Sequence, residues 1–130
     1  MKIYDCVTFF QESLHMELRI NILKNVVDKF IVCESLYDHR GKKKKINFCK
    51  NNYPEIKEKI KHIIIEEAFP EGNDPWKNQA IQREYILQHL EDLEGSDYVM
   101  FSDPDEIPNP ERIKELNLKK KFGIFHQNIY

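Results

Sequence analysis

The sequence lacks most of the features that would place it in a special class. Its N-terminal run, "MKIYDCVTFFQESLH", is broken by Asp5 and Gln11, which makes it too short and too polar for a signal peptide or membrane anchor. A cytoplasmic protein with no membrane span is therefore expected. Charge of one sign is missing too: 20 basic against 22 acidic residues leave a net charge of −2, so nothing steers the whole molecule toward nucleic acid or an anionic membrane. Cysteine is sparse, odd in number and without C-x-x-C spacing. Cys6, Cys33 and Cys49 read as reduced core thiols rather than metal or redox groups. Glycine is scarce and no low-complexity run or internal repeat occurs, which argues against disorder along the whole chain. What remains is an ordinary globular composition, 41% apolar and 32% charged. The length suits one domain, residues 1–130, that buries roughly two thirds of its unfolded surface.

Strand and helix signals alternate along the chain. "KIYDCVTFF" (Lys2 to Phe10) reads as a strand, and Leu14, Leu18, Ile22 and Val26 recur at helical spacing after it. "KFIVCES" (Lys29 to Ser35) is a continuously apolar strand of the kind covered on both faces. Leu36 to Asn47 reads as a loop, "PEIKEKI" as a short helix and "KHIIIEE" (Lys61 to Glu67) as a strand. Asp74 and Pro75 supply an N-cap and a first-turn proline for a long helix from Trp76 to about Leu93. "DYVMFS" is a further strand, Asn109 and Pro110 open another helix, and "KKKFGIFHQNIY" closes the chain as a strand. This order predicts an α/β fold, a mostly parallel sheet flanked by helices.

Three carboxylates, Asp103, Asp105 and Glu106, crowd together just past the strand "DYVMFS". In an extended segment residues i and i+2 share a side, and Pro104 biases Asp103 toward extended backbone, so Asp103 and Asp105 are expected to face one site. The carboxyl ends of strands are where open α/β sheets bind ligands. Two adjacent carboxylates repel unless a cation intervenes, which points to Mg²⁺ or Mn²⁺ completed by water and phosphate oxygens. The competing reading is a turn of solvated acids that leads into the next helix. Ile107 and Pro108 exclude a calcium loop of the EF-hand type.

Other residues add to this picture. On the long helix, Trp76, Ala80, Leu87 and Leu90 share an arc with Arg83 in its middle, which predicts a buried guanidinium in need of an anionic partner, or one that snorkels to solvent. Asn78, Gln82 and His89 fall on the opposite, wetter face. Glu34 ends its apolar strand as Asp103 follows its own, and so it too is placed at the ligand edge. The basic run Lys42 to Lys45 either meets phosphates or is a solvated loop.

Taken together, "IYDCVTFFQE", "MELRINIL", "VVDKFIVCES" before "HRGKKK", "WKNQAIQRE" and "DYVMFSDPDEIPNP" resemble the N-terminal part of glycosyltransferase family 17, in that family's order and spacing. The resemblance implies a GT-A, Rossmann-like fold that binds a nucleotide sugar. By the same likeness Asp103 and Asp105 hold Mn²⁺ or Mg²⁺ on the diphosphate, Glu34 lies near the nucleotide, and Arg83 contacts the donor or braces the acidic loop. It further implies inverting transfer of N-acetylglucosamine from UDP-GlcNAc to a glycan hydroxyl, which requires a general base. Glu106 is a weak candidate for that base. Members of the family continue past the position of Tyr130, so a chain shortened at its C-terminus is expected, with an exposed sheet edge that favours homo-oligomers. From that shortening follows the alternative of a non-catalytic nucleotide-sugar or glycan-binding module. A haloacid dehalogenase-type phosphohydrolase, with Asp103 as nucleophile, would need Lys and Asp motifs for which little chain remains.

Overall fold

β1 (Ile3–Phe9), β2 (Lys29–Ser35), β3 (Ile60–Ile65) and β4 (Tyr98–Ser102) form one sheet in the order β3-β2-β1-β4, and every neighbouring pair is parallel. The structure, a computed structural model, describes residues 2–90, 93–115 and 123. The strand expected over residues 119–130 lies, but for Gly123, outside the described residues. Helices α1 (Ser13–Leu23), α2 (Pro75–Gln88) and α3 (Pro110–Lys114) connect or follow the strands. The α/β architecture is as the sequence predicts. The expected short helix before β3 is reduced to a 3₁₀ turn, Lys57–Lys59, because β3 already pairs with β2 at Ile60.

Alternation along each strand divides the core in two. Ile3, Val7 and Phe9 of β1, with Phe30 and Val32 of β2, pack against Met16, Ile20 and Leu23 of α1 and Ile113 of α3. Tyr4, Cys6, Ile31 and Cys33 face the other way, onto Ile86 of α2. Coverage on both faces explains why β2 reads as a continuous apolar run. The chain runs from β1 outward to β2 and β3, then returns across the sheet to place β4 on the far side of β1. This reversal makes the carboxyl ends of β1 and β4 the switch point of the sheet, where open α/β folds leave a crevice for ligands.

The inward faces of both long helices differ from expectation. α1 buries Met16, Arg19, Ile20 and Leu23, while Leu14 stays 69% exposed and Leu18 and Ile22 also face solvent. On α2 the inward residues are Asn78, Gln82 and Ile86, and the arc expected to be buried holds the exposed residues Trp76, Ala80, Arg83 and Leu87. The reason is hydrogen bonding to β2 and the loop after it, where backbone groups need partners. Gln82 Nε2 donates to the Cys33 carbonyl at 2.8 Å, and its Oε1 accepts from His39 Nε2 at 2.7 Å. Asn78 Nδ2 donates to the His39 carbonyl at 2.8 Å. These bonds tie α2 to β2 and to the loop after it. The expected caps form: Asp74 Oδ1 accepts from Lys77 N, and Asn109 Oδ1 from Glu111 N.

Candidate functional site

The segment after β4 is a tight turn, not an extended strand end. Glu106 N–H donates to the Asp103 carbonyl at 2.9 Å, with Pro104 and Asp105 at the corners. The Glu106 carboxylate reaches back to accept from Asp103 N–H at 2.9 Å. Asp103 and Asp105 therefore stand at the first and third positions of a β-turn, which corrects the extended geometry expected for them. Proline at the second position suits this turn because its fixed φ matches the local backbone.

Arg19 holds the turn in place, and reading for apolar periodicity missed it. Its Nε and Nη2 grip the Asp5 carboxylate at 2.7 and 2.6 Å, and both side chains are fully buried. Nη1 donates to the carbonyls of Asp103 at 3.0 Å and Glu106 at 2.7 Å, and Nη2 also donates to Ser102 Oγ. These contacts use all five N–H donors of the guanidinium, which is what allows a buried arginine to persist. The bidentate fork on Asp5 sets its orientation. Two signals marked the pair in the sequence: Asp5 interrupts an apolar strand, and Arg19 sits on the Met16–Ile20–Leu23 arc of α1.

The backbone of the turn is thus fixed by α1 while its aspartate carboxylates stay open to solvent. Asp103 is 41% exposed and meets Arg83 Nη2 at 3.4 Å, the Arg83 side chain being 52% exposed. Asp105 is exposed and makes no hydrogen bond or ion pair among the described residues. Arg83 is therefore a half-solvated partner of the acidic loop and not the buried guanidinium of an apolar stripe. Beside the loop, at the switch point, lies a cavity of about 250 Å³. It is walled by Cys6 and Thr8 of β1, Phe101 and Ser102 of β4, Arg83 and Ile86 of α2, and Glu106.

Glu34 occupies a different environment. It lies on the α1 side of the sheet, fully buried, and accepts from Lys44 Nζ at 2.7 Å, Asn47 N at 2.6 Å, Phe48 N at 3.0 Å and His62 Nε2 at 3.2 Å. Burial alone would raise its pKa. The bonds from His62, Lys44, Asn47 and Phe48 outweigh that cost and hold the carboxyl below its ordinary range. Arg83 and Asp103 are brought together, whereas Glu34 shares no bond with them. The basic run divides in the same way. Lys44 turns inward to Glu34 and lies 5.5 Å from the centre of the Phe10 ring, while Lys42, Lys43 and Lys45 are exposed.

Thiol chemistry is suppressed on the α2 face of the sheet. Burial raises the pKa of Cys6 far above the ordinary thiol range and pushes Cys33 up to about 12, so neither is a thiolate at neutral pH. Cys49 departs from the expectation of a core thiol, for it is exposed beside the 3₁₀ turn Lys50–Asn52. No helix among the described residues is long and apolar enough to cross a membrane.

Known proteins share this sequence pattern. The sequence model of glycosyltransferase family 17 matches residues 1–127. The chain is similar to the β-1,4-mannosyl-glycoprotein 4-β-N-acetylglucosaminyltransferase of Rattus norvegicus, 25% identical over 126 residues that make up 90% of this chain and 23% of the relative. The protein of the same name from Homo sapiens is 27% identical over 112 residues, covering 79% of this chain and 21% of its own length. The chain therefore spans less than a quarter of the length of these curated relatives. No solved structure matches it.

Proposed function

The chain belongs to glycosyltransferase family 17, and from that membership we propose that it serves metal-dependent, inverting transfer of N-acetylglucosamine from UDP-GlcNAc to a glycan hydroxyl. The proposal gives this chain a GT-A-type donor site at the switch point of the sheet. One observation carries it: the acidic turn has a backbone fixed by Arg19 and two aspartate carboxylates that, among the described residues, have no ion pair except the one from Arg83 to Asp103. Side chains held in place and kept open to solvent are what a ligand requires. The relatives named as N-acetylglucosaminyltransferases support the choice of transferred sugar.

The donor set fits a cation that arrives with its substrate. Among the described residues no three His, Cys, Asp or Glu side chains gather closely enough to form a protein cage. Mg²⁺ and Mn²⁺ need no such cage when one or two carboxylates are joined by water and diphosphate oxygens. Asp103 and Asp105 are the residues that would hold it. Bound there, the cation would offset the charge that develops on the departing UDP. Arg83 braces Asp103 from α2. Glu106, with one carboxylate oxygen on Asp103 N–H, shapes the turn, and the cavity beside it receives the donor.

Titration calorimetry with UDP-GlcNAc and Mn²⁺ tests the reading. Wild type is expected to bind only with the metal present. Asp103→Ala with Asp105→Ala should weaken binding at least about 100-fold, the upper end of what losing an outer-sphere partner of a metal costs. Metal-independent binding, or equal binding by the double variant, would overturn the proposal. Release of UDP on adding a glycan acceptor separates transfer from binding alone.

A further inference from the structure

On the outer side of the acidic loop, α2 presents a second and shallower groove of about 400 Å³, within the range of small-molecule sites, roughly 300–1,000 Å³. Its floor and rim are Trp76, Gln79, Ala80, Arg83, Glu84 and Asp103. Trp76 is 78% exposed, although an indole of this size is ordinarily well buried. Ala80, one turn further along the helix, leaves space beside the ring. Around it stand the amide of Gln79 and the carboxylates of Glu84 and Asp103. The Glu84 carboxylate makes no hydrogen bond or ion pair among the described residues, and Arg83 already faces Asp103 at 3.4 Å.

We propose that this groove is the subsite for a neutral pyranose ring of the acceptor glycan, with Trp76 as its stacking platform. The inference rests on the donor reading above and deepens it. Its chemistry follows from the rim. A sugar ring offers an apolar face of C–H groups to an indole and hydroxyl donors to carboxylates and an amide. An anionic ligand is disfavoured, because two carboxylates border the groove and its one guanidinium is shared with Asp103. A diphosphate is better placed on the other side of the loop. Arg83 lines both spaces and pairs with Asp103 on the groove side, so a sugar on Trp76 would bring its hydroxyls next to the donor site.

Trp76 is the only tryptophan in the chain, so intrinsic fluorescence reads this groove directly. Titration of the whole chain with N,N′-diacetylchitobiose and with methyl α-D-mannopyranoside is expected to give a saturable change in emission with at least one of them. Trp76→Ala, at an exposed position where folding should persist, should weaken that binding at least about 10-fold by saturation-transfer NMR while leaving UDP-GlcNAc binding with Mn²⁺ intact. Asp105→Ala should do the reverse. A flat fluorescence titration and no saturation transfer with either saccharide would overturn the proposal. So would loss of UDP affinity in Trp76→Ala, which would make the indole a platform for the base instead. Saccharide binding without donor binding would uphold this subsite and sink the donor reading, so the two fail separately.

Discussion

Glu34 and Asp103 stand at the carboxyl ends of two parallel strands, β2 and β4, and each follows an apolar run, yet their side chains are in opposite states. The chain after β2 folds back and fills the Glu34 carboxylate with four donors, two of them backbone N–H groups. The chain after β4 is held by its backbone, through Arg19, and its aspartates are left to solvent and to Arg83. A carboxylate saturated by its own protein is part of the architecture. One whose main chain is fixed while its oxygens stay open has both position and capacity for a ligand. The contrast separates acids that a sequence presents alike.

The strongest way to break this contrast is to remove what fixes the second acid. Arg19→Ala leaves the buried Asp5 carboxyl without its partner and frees the Asp103 and Glu106 carbonyls. A loss of about 3–5 kcal/mol in urea denaturation is expected. Arg19→Lys retains a charge for Asp5 but cannot make five directed bonds. It should fold, with a smaller stability loss, and bind UDP-GlcNAc with Mn²⁺ more weakly than wild type. If Arg19→Lys binds the donor normally, the acidic turn does not depend on α1 for its position.

The same residues show what the sequence could reveal. Element order and most boundaries are readable because β2 is continuously apolar from Phe30 to Cys33 and because Asp74-Pro75 and Asn109-Pro110 are strong local start signals. Helix faces are not, because apolar periodicity assumes that inward means apolar. Gln82 and Asn78 turn inward to satisfy the Cys33 and His39 carbonyls, a demand set by β2 and the loop after it, distant in sequence. Leu14, Leu18 and Ile22 match the helical period but lie on the face turned from the sheet. The acidic cluster itself is legible, and so is Arg83 as its partner; what the structure corrects is the burial of the guanidinium, which is half exposed. The cluster's anchor, Arg19, required pairing an acid inside a strand with a base inside the next helix.

A milder change sharpens the other half of the contrast. Glu34→Gln keeps the shape of the side chain but removes the charge that Lys44 and two backbone N–H groups address, at an expected cost of about 1–3 kcal/mol near pH 7. The sign of the pH dependence follows from the depressed carboxyl. Its stabilisation is complete above the ordinary glutamate value of 4.5 and is lost as pH falls through the lower value of the folded state. Stability curves for wild type and Glu34→Gln should therefore be separated at neutral pH and converge in acid below that value. A gap that persists in acid would mean that packing, not the charge, holds the loop from Lys44 to Phe48.

The smallest effect is expected where the functional claim is largest. Arg83 and Asp103 are 52% and 41% exposed and 3.4 Å apart, so water screens their attraction and both side chains keep much of their freedom. A double-mutant cycle of Arg83→Ala and Asp103→Ala should give a coupling below about 1 kcal/mol in folding stability. The same cycle read by donor affinity should give a larger coupling, because a bound diphosphate and its cation exclude the water that screens the pair. A large coupling in folding would place Asp103 beside Glu34 as an architectural acid. Small coupling in folding with large coupling in binding is the pattern of a carboxylate that the fold positions but does not use.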